Sequence, residues 1–519
     1  MALPPSVIED FFARELDTFE EVRKFTRAEI YSDIKDLRPR HKFYGDKAYL
    51  HQLVCFVIGV YNPHFLFFLD MGMGKSRVIL DLLSYQLKCG KLQRALVVVP
   101  NITNIDNWVE EAKIFAPKLK VVPLYGSSEQ RFQTLEDCQD GNLFIINSGG
   151  LTAMFSTGPK TNKKGKKESS KPNVRLINKY TSMFQAYIVD ESEVVKNIHS
   201  LIYRISLYFS AVAEWDYGLT GTPMNRDPED FWSQFYMVDR GATLGNTLTF
   251  FRAMFYKQSP GHFSKFIYKF DKAKEKAFYQ MIQNRSIAYN IEDAMDMPRK
   301  LYIKRKLPMS PEALPFYDIV AGDAKVARGN YQLMKSAYTK ARQISSGYVT
   351  FKDEDTGKKR FVDFVDNPKM DELIEIMKTI PESRKIIICH HFIKTGRLIS
   401  DRLAEEKFPH SRLWSGQKKK VEVVRDFKSK KGKRTLVMNA QSGGRGLNLQ
   451  RANYLIIFES PDSASARKQL EARIWRGRQK FTCFIYDLVV NGTKDAAILA
   501  ANKSHTSLLK RLVNGKDSW

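Results

Sequence analysis

The stretch FLFFLDMGMGKSRVILDLL, residues 65–83, sets an apolar run against a glycine–lysine–serine turn and then an amphipathic helical pattern. The run FLFFLD (65–70) contains no polar residue before Asp70, as expected of a strand buried on both faces. From Arg77 the pattern RVILDLL carries helical spacing. A strand, a glycine turn and a helix in that order let consecutive backbone N–H groups wrap a phosphate at the helix N-terminus. On this reading Met71, Gly72, Met73 and Gly74 form the cradle, Lys75 reaches the terminal phosphates, and the Ser76 hydroxyl binds magnesium. The strict GxxxxGK[ST] pattern is broken, because Leu69 stands where the first glycine belongs. A plain helix-capping turn is the competing reading.

Working outward, buried-strand runs alternate with amphipathic helices in two blocks. The first block reads FLFFLD, ALVVVP (95–100), LFIIN (143–147) and AYIVDE (186–191); the second reads KIIICH (385–390), TLVMNA (435–440), YLIIFE (454–459) and CFIYDLV (483–489). Such runs suit parallel strands covered by helices on both faces, so the fold expected is α/β with two parallel-sheet lobes. The first lobe is assigned to residues 41–295 and the second to 296–519, with a helical segment over 1–40. From about residue 230 to 345 the pattern reads as mostly helical, an insertion between the two blocks. The segment 156–175, STGPKTNKKGKKESSKPNVR, is lysine-rich and almost devoid of apolar residues, which predicts a disordered loop inside the first lobe.

Composition narrows the partners. Of 519 residues, 83 are Lys or Arg and 57 Asp or Glu, a net charge of +26. That excess favours a polyanion, nucleic acid ahead of an acidic membrane surface. Five scattered cysteines form no CxxC pair, so the reading is a reduced, intracellular (cytoplasmic) protein without a structural zinc. The longest apolar run, 53–69, is interrupted by Asn62, Pro63 and His64, which argues against a membrane span.

Further pieces carry chemistry. In VDESEVVKN (189–197) a carboxylate at a strand end suits a magnesium-bound water and its neighbour suits the attacking water, assigning Asp190 to the metal and Glu191 to the water. In YGLTGTPMNRDPEDFWSQF (217–235) the hydroxyls of Thr220 and Thr222 are placed to sense a phosphate. QSGGRGLNLQ (441–450) has the glycine content of a loop that approaches phosphate closely, and QLEARIWRGRQ (469–479) sets Arg473 and Arg476 at i and i+3 on one expected helix face. Arginines from a second lobe can stabilise charge on a transferring phosphoryl group. Plain turns, an N-cap and a solvated arginine face are the competing readings of these pieces.

Taken in order, these motifs resemble the Swi/Snf-type ATPases of helicase superfamily two, from about residue 46 to the C-terminus. LHQLVCFVIG (50–59) looks like the adenine-side element with Gln52 as its glutamine, and LDMGMGKS like motif I, where the first glycine is commonly absent. VVVPNITNIDNWVEEAKIF (97–115) resembles motif Ia, INSGGL (146–151) Ib, DESEVVKN II, and LTGTPMNRDPEDFWSQFYMVDRG (219–241) III with its extension. ARQISSGY (341–348), DNPKMDELIEIM (366–377), KIIICHHF (385–392), LWSGQKKKVEVVRDF (413–427), SGGRGLNL and QLEARIWRGRQ continue the series, and VVNGTKDAAILAANKSHTSLLKRL (489–512) is similar to the closing helix.

The resemblance implies two tandem RecA-like lobes that bind ATP and magnesium, with Gly444 and Gly446 at the nucleotide and Arg473 and Arg476 completing catalysis. It implies nucleic-acid backbone contacts at Asn107 with the neighbouring Trp108, at Asn147 and Ser148, and at Ser415 and Gln417. Coupling falls to Glu193, Thr220, Thr222, Gln469 and Gln479. Glu193 departs from the family's usual histidine in motif II. The function implied is a DNA-dependent ATPase translocating on double-stranded or branched DNA as a monomer, of the minimal size typical of a bacteriophage or other viral protein. A strand-separating DNA or RNA helicase, or a scaffold that binds nucleotide without turnover, are the alternatives.

Three features stand outside these motifs. KTNKKGKK (160–167) and KSKKGKR (428–434) read either as phosphate grips or as solvated loops. His390 and His391 read as packing residues at a strand end. The aromatics between 231 and 268 read as helical core.

Overall fold

The computed structural model describes residues 26–500 except 159, 162–166, 225–226, 260–266, 327–330, 353–355, 357, 415–416, 418–419, 441–446, 463 and 478. The chain divides into two compact units, the first ending at Met295 and the second beginning at Asp296.

The first unit contains β1 (His64–Leu69), β2 (Ala95–Val99), β3 (Val121–Pro123), β4 (Leu143–Asn147), the short pair β5 (Lys160–Thr161) and β6 (Lys167–Glu168), β7 (Ala186–Asp190), β8 (Trp215–Leu219), the pair β9 (Tyr256–Ser259) and β10 (Ile267–Phe270), and β11 (Ser286–Tyr289). Seven of these form one parallel sheet in the order β11-β1-β8-β7-β2-β4-β3. Its central strands are buried along their whole length, as unbroken apolar runs require of strands with helices on both faces. Because the strands are parallel, Leu69, Leu219 and Asp190 all end on one edge, and the loops that follow carry the chemistry-bearing residues.

The second unit contains β12 (Lys300–Leu307), the hairpin β13 (Tyr348–Lys352) and β14 (Lys359–Asp363), β15 (Lys385–His390), β16 (His410–Leu413), β17 (Thr435–Asn439), β18 (Ala452–Ile457) and β19 (Cys483–Val490). Six form a second parallel sheet, β12-β19-β18-β15-β17-β16. Leu373, Ile386, Ile388, Ile399, Val437 and Ile456 make its core, and the helices Leu314–Val326 and Tyr331–Ile344 build a smaller one from Tyr317, Ala337, Ala341 and Ile344. The two-sheet α/β architecture is as expected.

Two expectations need correction. The 230–345 stretch does hold helices, among them Glu229–Asp239 and Glu275–Ile282, and Phe231, Phe235, Phe251 and Phe255 are core residues there. It also holds the hairpin β9–β10 and two strands, β11 and β12, that border the two sheets. The charges of KLYIKRKL hide the strand: its side chains are largely exposed, and lysines on an outer strand discourage pairing with other chains. The lysine-rich 156–175 segment is ordered at its described ends, where Lys160 pairs with Glu168 and Thr161 with Lys167, and the Thr157 N–H donates to Lys171 O at 2.8 Å. Residues 159 and 162–166 lie outside the described residues. Among the described residues no helix is long and apolar enough to cross a membrane.

The far edge of the first sheet buries an acid without a partner. Asp216, the second residue of β8, lies in register with His64 of β1 and Tyr187 of β7, is fully buried, and neither carboxylate oxygen has a hydrogen-bond partner among the described residues. Burial pushes its pKa up to about 7, against the pull of Ser210 and Arg240. The folded state therefore holds a proton that the unfolded chain releases near pH ~4, so stability falls as pH rises from about 4 to about 7 and stays low above it. Asp216→Asn is expected to raise the thermal midpoint by several degrees at pH 8 and by less at pH 5; equal shifts at both pH values in melting curves would contradict the assignment.

Candidate functional site

The turn after β1 is built by backbone geometry. Gly72 and Gly74 have φ of +85° and +78°, the left-handed region that favours glycine, and Gly74 caps the helix Lys75–Lys88. A Cβ on Gly74 would stand 2.3 Å from Gln52 Nε2, a second reason for glycine there. Leu69 explains the missing first glycine: it is the last residue of β1, wholly buried in ordinary strand, and its carbonyl accepts from Lys75 Nζ at 3.1 Å. Gln52 and its neighbour His51 both reach the Met73 carbonyl at 2.9 Å. Burial holds the His51 pKa down to about 4, so the ring is neutral and donates to that carbonyl. Met71 and Ser76 remain partly exposed at the mouth of the turn.

The acids gather at the same sheet edge, with β8 between β1 and β7. Glu191 takes the left-handed conformation, φ +53°, strain that turns the chain sharply after β7. Its carboxylate lies 4.0 Å from Lys75 Nζ, with both groups buried. The Thr220 hydroxyl lies 2.8 Å from Glu193 and 3.3 Å from Glu191, and it accepts from the Thr222 N–H at 3.0 Å. One hydroxyl therefore joins both glutamates of DESE to the turn after β8. Ser192 donates to Gln234 Oε1 at 2.6 Å, and Gln234 donates to the Pro223 carbonyl at 2.8 Å, closing the same loop from the helix Glu229–Asp239.

Asp190 accepts from the indole N–H of Trp108 at 2.9 Å. Burial and then the Glu191 charge push its pKa upward, opposed by Lys75 and the Trp108 hydrogen bond. Magnesium takes oxygen ligands and keeps several waters and substrate phosphates, so one or two protein oxygens suffice. The donors here, a half-exposed Ser76 hydroxyl and a buried strand-end carboxylate, fit such an ion. Among the described residues there is no cage of three or more His, Cys, Asp or Glu side chains.

The residues expected to touch nucleic acid divide. Asn107 is half-buried on the helix Ile102–Phe115, whereas its neighbour Trp108 is buried and turned to Asp190. Asn147 caps the helix Ser148–Phe155, and the Ser148 hydroxyl donates to the Pro100 carbonyl at 3.0 Å. Gln417 accepts weakly from the Trp414 N–H at 3.4 Å. Ser415, Gly444 and Gly446 lie outside the described residues.

In the second unit the helix expected to carry both arginines stops at Glu471, so Arg473 and Arg476 occupy the turn after it instead of one helix face. Arg473 is buried, with its guanidinium 3.0 Å from the Ala440 carbonyl at the foot of the glycine-rich segment; burial lowers its pKa to about 10, so it stays charged. Arg476 and Gln469 are half-buried. Gln479 is a structural clamp: Nε2 spans the carbonyls of Gln450, Ala452 and Ile474, and Oε1 accepts from the N–H groups of Lys480 and Phe481. His390 packs at the strand end and lies 2.9 Å from the Phe392 carbonyl. Beside it Glu459 is a residue that the sequence did not reveal. Burial raises its pKa, but donors from Ser346, Thr395, Phe392 and His391 outweigh that and hold it below the usual range.

Comparison with known proteins adds the family. Residues 49–355 match the SNF2-related domain, and residues 368–478 match the helicase conserved C-terminal domain. A protein of Mycoplasma genitalium described as an uncharacterized ATP-dependent helicase is 23% identical over 461 residues, covering 85% of this chain and 39% of that one. A CHD3-type chromatin-remodeling factor of Arabidopsis thaliana is 24% identical over 469 residues, covering 86% and 35%. The chain thus spans less than half the length of these relatives. A Sulfolobus solfataricus SWI2/SNF2 ATPase core in complex with dsDNA aligns over 92% of this chain and 95% of its own at 20% identity, with a TM-score of 0.39. These relatives are cellular and lend no support to a viral origin.

Trp108 gives a sharp test, since a hydrogen bond to a charged group contributes about 1.5–3 kcal/mol. Trp108→Phe keeps an aromatic ring, smaller than the indole, and removes the N–H. The expected result is a loss of about tenfold or more in magnesium-dependent nucleoside triphosphate turnover, with circular dichroism unchanged; an unchanged rate and magnesium dependence would contradict a positioning role.

Proposed function

The chain belongs to the SNF2-related family, and from that premise we propose that it couples ATP hydrolysis to translocation along duplex or branched DNA. The observation that supports this best is the convergence at one sheet edge of the Lys75 ammonium, the Glu191 carboxylate and an Asp190 fixed by Trp108. These are the parts phosphoryl transfer to water requires: a cation for the phosphates, a carboxylate for the metal and a carboxylate for the water. Magnesium would supply positive charge where negative charge develops on the phosphates. Ser76 and Asp190 would hold it. Glu191 orients the attacking water, and the backbone N–H groups of the turn from Met71 to Gly74 wrap the phosphates.

Of the two arginines, we assign the role at the transferring phosphoryl group to Arg476. Arg473 is a positioning residue that secures the base of the 441–446 segment through Ala440. Asn107, Asn147, Ser148, Ser415 and Gln417 are the proposed backbone contacts, whose phosphate readout would make movement independent of sequence. The Thr220 hydroxyl, shared between Glu191 and Glu193, is the proposed link between the hydrolytic water and the turn after β8.

Lys75→Ala and Glu191→Gln test the reading. Both are expected to lower ATP turnover by about a hundredfold or more and to abolish displacement of a third strand from a triplex, while nucleotide-free affinity for duplex DNA stays within about threefold. Preserved turnover in either variant, measured by phosphate release, would remove the hydrolytic assignment.

A further inference from the structure

The six strands of the second sheet are parallel, so all begin on one edge, and that edge is cationic. Arg299 precedes β12, Lys480 precedes β19, Arg451 precedes β18, Arg384 precedes β15, and the run KSKKGKR (428–434) leads into β17. These strands are consecutive neighbours in the sheet, which sets the cations in a row. Backbone pairing confirms the adjacency: the Cys483 N–H donates to Arg299 O at 2.9 Å, and the Ile386 N–H to Arg434 O at 3.0 Å. Four inter-strand intervals of about 4.8 Å make the row about 19 Å long. At ~3.4 Å per base pair it spans roughly six base pairs.

The lysine-rich run is anchored at several points. Lys385 donates to the carbonyls of Gly432 and Lys433 at 3.1 and 3.2 Å, Arg451 to that of Lys428 at 3.2 Å, and Arg434 to those of Ile380, Pro381 and Arg384. Three cations thus spend their hydrogen bonds fixing the loop, while the side chains of Lys430, Lys431, Lys433 and Lys480 stand exposed. Among the described residues none of these four forms an ion pair. Exposed lysines without an ion pair, carried on an anchored loop, suit a linear polyanion; a compact phosphate ligand needs donors converging on a pocket. Ala440, Glu459 and Gln417 follow the other ends of the strands, about 17–20 Å away.

We propose that this strand-entry edge is a second nucleic-acid contact, which holds the phosphate backbone of a segment other than the one engaged at the opposite edge. The proposal rests on the reading of the chain as a DNA motor. Such a contact would keep the second unit on DNA while the first grip is released, and would favour substrates that present two duplex segments.

The test uses the full chain with Lys430, Lys431, Lys433 and Lys480 changed together to Gln. A control with Lys91, Lys118, Lys272 and Lys276, exposed lysines of the first unit, changed to Gln removes the same charge. Binding to a long duplex is measured by fluorescence anisotropy against salt, alongside ATP turnover at saturating DNA. Each lost phosphate contact removes about 0.9 from the log–log salt slope. The expected result is a slope reduced by about 2–4 in the first variant and by less than about 1 in the control, with turnover at saturating DNA retained. Equal losses in both variants, or an unchanged slope, would overturn the proposal, as would an unchanged slope joined to lost binding of a polyglutamate peptide, which would assign the edge to an acidic protein. Failure of the wild-type chain to bind DNA at all would instead strike the proposed function.

Discussion

The arrangement of the first unit depends on where a buried ammonium finds its oxygens. Lys75 is only 9% exposed, and its Nζ has the Leu69 carbonyl at 3.1 Å and the Glu191 carboxylate at 4.0 Å. Burying a charge is costly unless it is paired and hydrogen-bonded, so those two oxygens are a requirement of the fold. They belong to the ends of β1 and β7, which only a parallel sheet brings to one edge with β8 between them. The left-handed Gly74 and the strained Glu191 follow from the same need, since each turns the chain where the lysine and carboxylate meet.

The second unit solves the same problem with other residues. Glu459 is held ionised by the Thr395 hydroxyl at 2.7 Å and by the His391 and Phe392 N–H groups, and Lys369 is buried against Asp495 at 2.7 Å and the Phe458 carbonyl at 3.1 Å. Arg342 from the inserted helix reaches Asp462 and the Ser460 carbonyl beside them. Buried and compensated charge thus collects where strands end, while exposed cations collect where strands of this unit begin. In this unit strand direction separates the compensated buried charges from the exposed cations.

Much of this was legible in the sequence because it rests on local patterns. Unbroken apolar runs specify strands covered on both faces, and MGMGKS and VDESE are short enough for the chain itself to position them. What depends on distant partners was hidden. SIAY and KLYIKRKL are strands only because β1 and β19 lie beside them, and no spacing within either stretch announces that. The 469–479 stretch reads as helix by spacing, yet it turns after Glu471, where the Leu449 N–H takes the Arg473 carbonyl and Gln479 takes three others. Trp108 was read only as a neighbour of nucleic-acid contacts; the available signal was that a buried indole N–H needs an acceptor, and Asp190 is 82 residues away. Gln234 carried a similar signal, a polar residue at a core position of an amphipathic helix.

On the proposed function, the strand-end edge of the first unit that gathers Lys75, Asp190 and Glu191 hydrolyses ATP in response to duplex DNA. Steady-state hydrolysis at low salt, without nucleic acid and with duplex DNA, branched DNA, single-stranded DNA or duplex RNA, tests it most directly. Duplex and branched DNA are expected to stimulate turnover well above the other polymers. Stimulation greatest with a single strand or RNA, or no turnover with any of them, would contradict it.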